Sequence, residues 1–117
     1  METNDYLPDW AMRLSCAVTI SDSAGNIIYM NQRSRDTFAE GTDRLIGRSL
    51  FECHGERSAA MIRHMLATGT DNSYTIEKRG VRKMIYQTPW RDASGAVAGL
   101  VEISMVIPAE MPHYARD

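Results

Sequence analysis

The sequence predicts an α+β fold with an antiparallel sheet, on three observations. Residues 21–31, SDSAGNIIYMN, place a tight turn between two short strands. Glu56–Thr68 sets Ala59, Met61, Ile62, Met65 and Leu66 at three-and-four spacing, the period of a helix with one apolar face. Beyond Gly69 the period falls to two, in three runs separated by turn residues. Strands, then short helices, then strands joined by hairpin-length connections give an α+β plan with antiparallel neighbours.

Residues 6–14 bring Tyr6, Leu7, Trp10, Met12 and Leu14 together as a ragged amphipathic helix, which Pro8 can open because its missing N–H has no partner in a first turn. Two large aromatics this close to a terminus need cover. Tyr6, Leu7, Trp10 and Leu14 are therefore the expected dimer-interface residues. In the hairpin, Asp22 accepts local backbone N–H bonds and Gly25 tolerates positive φ, while Val18, Ile20, Ile28 and Tyr29 are strand formers. Asn31 stands where the second strand gives way to a helix, a favoured N-cap position. That helix runs over residues 32–40, with Phe38 as its apolar anchor and Gly41 as its end. Residues 43–50, DRLIGRSL, predict one more helical turn broken at Gly47, and Gly69 stops the helix Glu56–Thr68. Strands follow over residues 73–78, 82–88 and 96–107, with turns at Arg79-Gly80 and at 92–95. In the last of them Val97, Gly99, Val101, Ile103 and Met105 share one face, and Ala98, Leu100, Glu102 and Ser104 the other. The N-terminal helix is the expected cover for Leu100. The resulting division is a cap helix over 1–15, a domain over 16–108 and a tail over 109–117.

A chain of 117 residues makes one domain, and a formal net charge of -2, with arginines scattered among acidic residues, lacks the basic face that a nucleic-acid binder uses on phosphates. The start of the chain has neither the basic nor the apolar region of a signal peptide, and no stretch is apolar for long enough to span a bilayer. The expected location is the cytoplasm. Cys16 and Cys53, with no CxxC pair, predict reduced thiols and no zinc site. No HExxH, phosphate-binding glycine loop or G-x-S-x-G elbow is present, and the acid pairs Asp5 with Asp9 and Glu52 with Glu56 suit helix N-termini, so no enzyme is expected.

The hairpin with Asp22, Gly25 and Asn31, the Leu45-Ile46-Gly47 turn, the long helix, and the closing strands with Asp92, Gly95 and Gly99 resemble, in their joint order, the PAS domain family over about residues 16–108. The resemblance implies a five-stranded antiparallel sheet cupping a small cavity against its helices, in proteins that sense ligands, redox state or light and often dimerise. Many relatives that drive an effector end the last strand with a DIT triplet; here the stretch is Ser104-Met105-Val106-Ile107-Pro108. With only a short tail beyond it, the expected output is dimer rearrangement or docking to a separate signalling protein.

Phe51-Glu52-Cys53-His54 lies where several relatives hold cofactors. The asparagine-cysteine-arginine-phenylalanine motif of light-oxygen-voltage domains is replaced after Gly47 by Arg48-Ser49-Leu50, and the spacing of Cys53 from Gly47 does not match photoactive yellow protein. Haem could take His54, His64, Cys53 or a methionine as axial ligand. By analogy His64 is the candidate, yet at about 100° per residue it points roughly 130° away from the apolar face of its helix. Cys53 and His54 also read as a small filler and a helix-start hydrogen bonder, and a helix N-terminus can stabilise a Cys53 thiolate. Met30, Met61, Met65, Met84 and Met105 suit either a core or an adaptable cavity wall. Tyr86, Gln87, Thr88 and Trp90 add polar handles beside aromatic surface, with Met84, Tyr86 and Thr88 on one strand face and Ile85 and Gln87 on the other. Periodicity leaves open which face meets the cavity. The candidate ligand-binding residues are Met30, Cys53, His54, Met61, Met65, Tyr86, Thr88 and Trp90.

The functional expectation is a cytoplasmic sensory module that binds a small ligand or cofactor of unspecified identity in an internal cavity. It signals as a homodimer through the N-terminal helix or through a partner protein, without nucleic acid or membrane. The alternatives are a dimerisation module with a filled core and a haem or flavin redox sensor.

Overall fold

The computed structural model describes residues 7–117, so the interface candidate Tyr6 and the pair member Asp5 lie outside the described residues. In chain order the elements are α1 (Asp9–Met12), β1 (Ala17–Ser21), β2 (Ile27–Met30), α2 (Gln32–Phe38), α3 (Leu50–Cys53), α4 (Glu56–Thr68), β3 (Asn72–Lys78), β4 (Val81–Arg91) and β5 (Val97–Val106). The five strands form one antiparallel sheet, as expected from the sequence, and their order is β2-β1-β5-β4-β3.

Both Asp-x-x-Gly turns close in the same way. Asp22 Oδ1 accepts the N–H groups of Ala24 and Asn26 at 3.0 and 2.9 Å, and Asp92 Oδ1 accepts those of Ser94 and Ala96 at 2.9 and 3.2 Å. Gly25 takes φ +85°, and a Cβ there would stand 2.6 Å from the Phe51 ring, so this glycine serves the turn and the packing together.

Asn31 is fully buried and uses its whole side chain. Its Oδ1 accepts from Val18 N at 2.9 Å and, as the α2 N-cap, from Ser34 N at 3.0 Å; its Nδ2 donates to the Ala11 and Cys16 carbonyls at 3.0 and 2.9 Å. One amide thereby ties α1, β1 and α2 together.

Three sequence expectations change. The helix over 6–14 contracts to Asp9–Met12, in which only Ala11 is buried and Trp10 is 72% exposed. The segment 43–50 is not one helical turn: Ile46 N donates to Asp43 O and Arg48 N to Leu45 O in two turns, both at 3.0 Å. Gly47 and Arg48 then bond the β2 edge, with Ile27 N donating to Arg48 O and Gly47 N to Ile27 O at 2.9 and 2.7 Å, and Leu50 already opens α3. Edge groups of β2 that would otherwise lack partners are satisfied in this way. Leu100, expected beneath the N-terminal helix, is 3% exposed and packs in the core with Ile27, Met30, Ile62 and Met65. The helices therefore cover the Leu100, Glu102 and Ser104 face of β5, and Val101, Ile103 and Met105 belong to the outer face.

Candidate functional site

Register builds the floor of the site. Met30, Thr19, Glu102, Gln87 and Asn72 pair in turn across β2, β1, β5, β4 and β3, one row crossing the whole sheet. Paired residues share a face, so the row lies under the helices. Asn72 Nδ2 donates to Gln87 Oε1 at 3.0 Å, and Gln87 Nε2 donates to Glu102 Oε2 at 2.8 Å. Thr19 Oγ1 and Ser34 Oγ, 2.6 Å apart, link the floor to α2.

Above this floor is a partly open cavity of about 350 Å³. Ile27, Met30, Leu50, Ile62 and Leu100 make apolar walls, Phe38 and Leu45 lie toward α2 and the following loop, and Cys53 and His54 close the α3 side. Ser49 caps α3 by accepting Phe51 N at 3.1 Å, and Arg63 stands 4.5 Å over the Phe51 ring, so α3 is held against α4. His54 Nδ1 lies 2.8 Å from the Leu50 carbonyl oxygen. An oxygen can only accept, so Nδ1 carries the hydrogen and, in the neutral ring, Nε2 is an acceptor.

Of the ligand-binding candidates, Met30, Cys53 and His54 line the cavity. Met65 is buried in the adjoining core rather than at the cavity wall. Met61 is 44% exposed on α4, because Ala59, Ile62 and Met65 form its buried stripe. Tyr86 and Thr88 occupy the opposite face of β4 from Gln87 and bond Asp71 at 3.3 and 2.7 Å. Trp90 Nε1 donates to the Ser21 carbonyl at 2.9 Å, and Trp90 itself does not line the cavity. Phe38, expected as a buried anchor, is instead half exposed at the cavity wall, and α2 buries Ser34. His64 is exposed and outside the cavity. Among the interface candidates Leu7 is half-buried, while Trp10 and Leu14 are exposed.

Glu102 and Thr19 complete the polar floor without having been singled out in the sequence. A charged residue at the same strand parity as Leu100 was the available signal. Its charge is felt nearby: burial, with the Glu102 carboxylate adding to it, pushes the Tyr74 hydroxyl above its usual value. Among the described residues no group of three or more His, Cys, Asp and Glu side chains is placed to hold a metal ion, and no helix is long and apolar enough to cross a membrane.

Comparison with known proteins gives a consistent picture. The family model described as PAS fold matches residues 12–110. No curated protein sequence matches. The structure is similar to that of the Vibrio cholerae VqmA dimer in the absence of target DNA, with TM-score 0.70 and 18% identity over 86% of this chain and 51% of that one. A structure of VqmA bound to DPO gives TM-score 0.68 and 19% identity over 84% of this chain and 54% of that one. A sensory box sensor histidine kinase from Vibrio cholerae gives TM-score 0.63 and 12% identity over 87% and 89% of the two chains. The chain spans about half the length of the VqmA chains it matches.

Proposed function

The chain belongs to the PAS fold family, and from that premise we propose that it is a cytoplasmic, non-catalytic sensory module that binds a small organic molecule between its helices and sheet. The response leaves through a second copy of the chain or a separate signalling protein. The observation that carries this reading is the cavity itself: about 350 Å³, mostly apolar, with a few convergent polar groups, which is the make-up of a small-molecule site. Unfilled space of that size weighs against a dimerisation module whose core is closed by its own side chains.

Two further observations support the output. Trp10 is 72% exposed, and β5 turns Val101 and Ile103 toward the outer face as partly exposed apolar residues, with Met105 38% exposed beside them. Apolar surface of this kind suits an interface. Among the similar structures, VqmA is described as a dimer and, separately, as bound to DPO.

The test uses the whole chain. A thermal-shift screen against small organic molecules should find compounds that raise the melting temperature, since a ligand specific to the native state stabilises it by about 2.7 kcal/mol at a hundred times its Kd. Light scattering should show a dimer that Trp10→Glu weakens. A monomer that no compound stabilises would sink the proposal.

A further inference from the structure

Building on the ligand-binding reading, we propose that the cavity recognises small organic cations, molecules with an apolar body and an ammonium or amidinium head that pairs with the Glu102 carboxylate. Charge balance carries the inference. Glu102 is half-buried on the cavity floor, and among the described residues no lysine or arginine forms an ion pair with it or lines the cavity. Among the described residues its hydrogen-bond donor there is the neutral Gln87 amide, at 2.8 Å. Gln87 cannot supply more than a dipole, and its Oε1 is already engaged by Asn72 Nδ2 at 3.0 Å, which directs the amide N–H groups toward Glu102.

An occupant that fills the cavity shuts solvent away from the carboxylate. Stripping solvent from an unpaired charge is costly. A neutral occupant leaves that cost in place, an anion adds repulsion, and a cation removes it. His54, on the α3 side of the cavity, points the same way. With its hydrogen on Nδ1 toward Leu50 O at 2.8 Å, neutral His54 offers an acceptor at Nε2. Carboxylate and imidazole both ask for donors, and an ammonium has only donors to give. The Ile27, Met30, Leu50, Ile62 and Leu100 walls then take the apolar body, and about 350 Å³ keeps it small.

Benzylamine, benzyl alcohol and benzoate share a ring and differ in the charge of the head, so they separate the contributions. With each titrated at millimolar concentrations into the isotope-labelled whole chain, amide shifts of the cavity residues should report benzylamine binding about tenfold more tightly than benzyl alcohol, with benzoate weakest. Glu102→Gln, which keeps an acceptor for Gln87, should lower benzylamine affinity about tenfold and leave benzyl alcohol within about twofold. Leu45→Trp at the cavity wall should weaken all probes that bind there. Equal affinity for benzylamine and benzyl alcohol, or benzylamine affinity unmoved by Glu102→Gln, overturns the cation preference. Cavity-bound neutral compounds from the thermal-shift screen without benzylamine binding would leave the sensory reading standing and remove this one; if neither screen nor probes reach the cavity, both fall.

Discussion

Gln87 Nε2 donates to Glu102 Oε2 at 2.8 Å, joining β4 to β5 on the cavity floor. Gln87 is only 6% exposed and also accepts from Asn72. Gln87→Leu should therefore leave two polar partners without their bond and destabilise the chain by about 1–3 kcal/mol, read from urea unfolding. A loss below about 0.5 kcal/mol would show that water replaces the amide without penalty.

Asn31 engages two backbone donors and two backbone acceptors. Asn31→Asp retains the acceptor for Val18 and Ser34 but sets a carboxylate oxygen against the Ala11 and Cys16 carbonyls. It should cost about 3 kcal/mol in urea unfolding, as should Asn31→Ala, and free α1 to exchange its amide hydrogens faster. An Asp variant of native stability would mean that the Ala11 and Cys16 carbonyls do not depend on this side chain.

Gly99→Ala tests the seam between β5 and β1. A Cβ at Gly99 would overlap the Ser21 carbonyl oxygen, the same atom that accepts Trp90 Nε1 at 2.9 Å. Backbone has little room to yield, so the expected loss is about 3 kcal/mol or more, with altered Trp90 fluorescence. A variant within about 1 kcal/mol of the native chain would count against that close approach.

The stability profile should decline at both pH extremes through two identifiable groups. The Ser94 hydroxyl and then the Ala96 and Ser94 N–H groups hold the Asp92 carboxyl below its usual value. Its contribution is present above the unfolded carboxylate value and is lost as pH falls through the lower folded one. Tyr74 is shifted upward by burial and Glu102, so its contribution is present below the usual tyrosine value and is lost as pH rises through the folded one. Asp92→Asn should flatten the acid limb and Tyr74→Phe the alkaline limb of melting temperature against pH. Limbs unchanged by these substitutions would assign the pH dependence to other groups.

Local chemistry was legible in the sequence, and long-range pairing was not. The Asp22 and Asp92 turns, the Asn31 cap and the bounds of Glu56–Thr68 each depend on residues a few positions apart, and all are found in the fold. The cavity face of the sheet was harder. In β5 the more apolar set, Val101, Ile103 and Met105, faces outward, while Glu102 and Ser104 lie beneath the helices. Hydrophobic alternation points the wrong way there, because polar groups on the covered face are satisfied across strands: Gln87 and Asn72 are far apart in the chain and meet only through register. The same inversion places Tyr86 and Thr88 outside the cavity and Gln87 within it. Cys53 and His54 were picked out by their place just before Glu56–Thr68, and both line the cavity, Cys53 as the last residue of α3 and His54 as its C-cap.

The pleat of β5 sets how far an event in the cavity has to travel. Glu102 faces the interior and its chain neighbours Val101 and Ile103 face the exterior, so cavity floor and outer surface are separated by a single peptide unit, about 3.3 Å along the strand. The sheet there is one residue thick. On the proposed function, a ligand that draws on the carboxylate would bear on the same stretch of backbone that carries these two outer side chains.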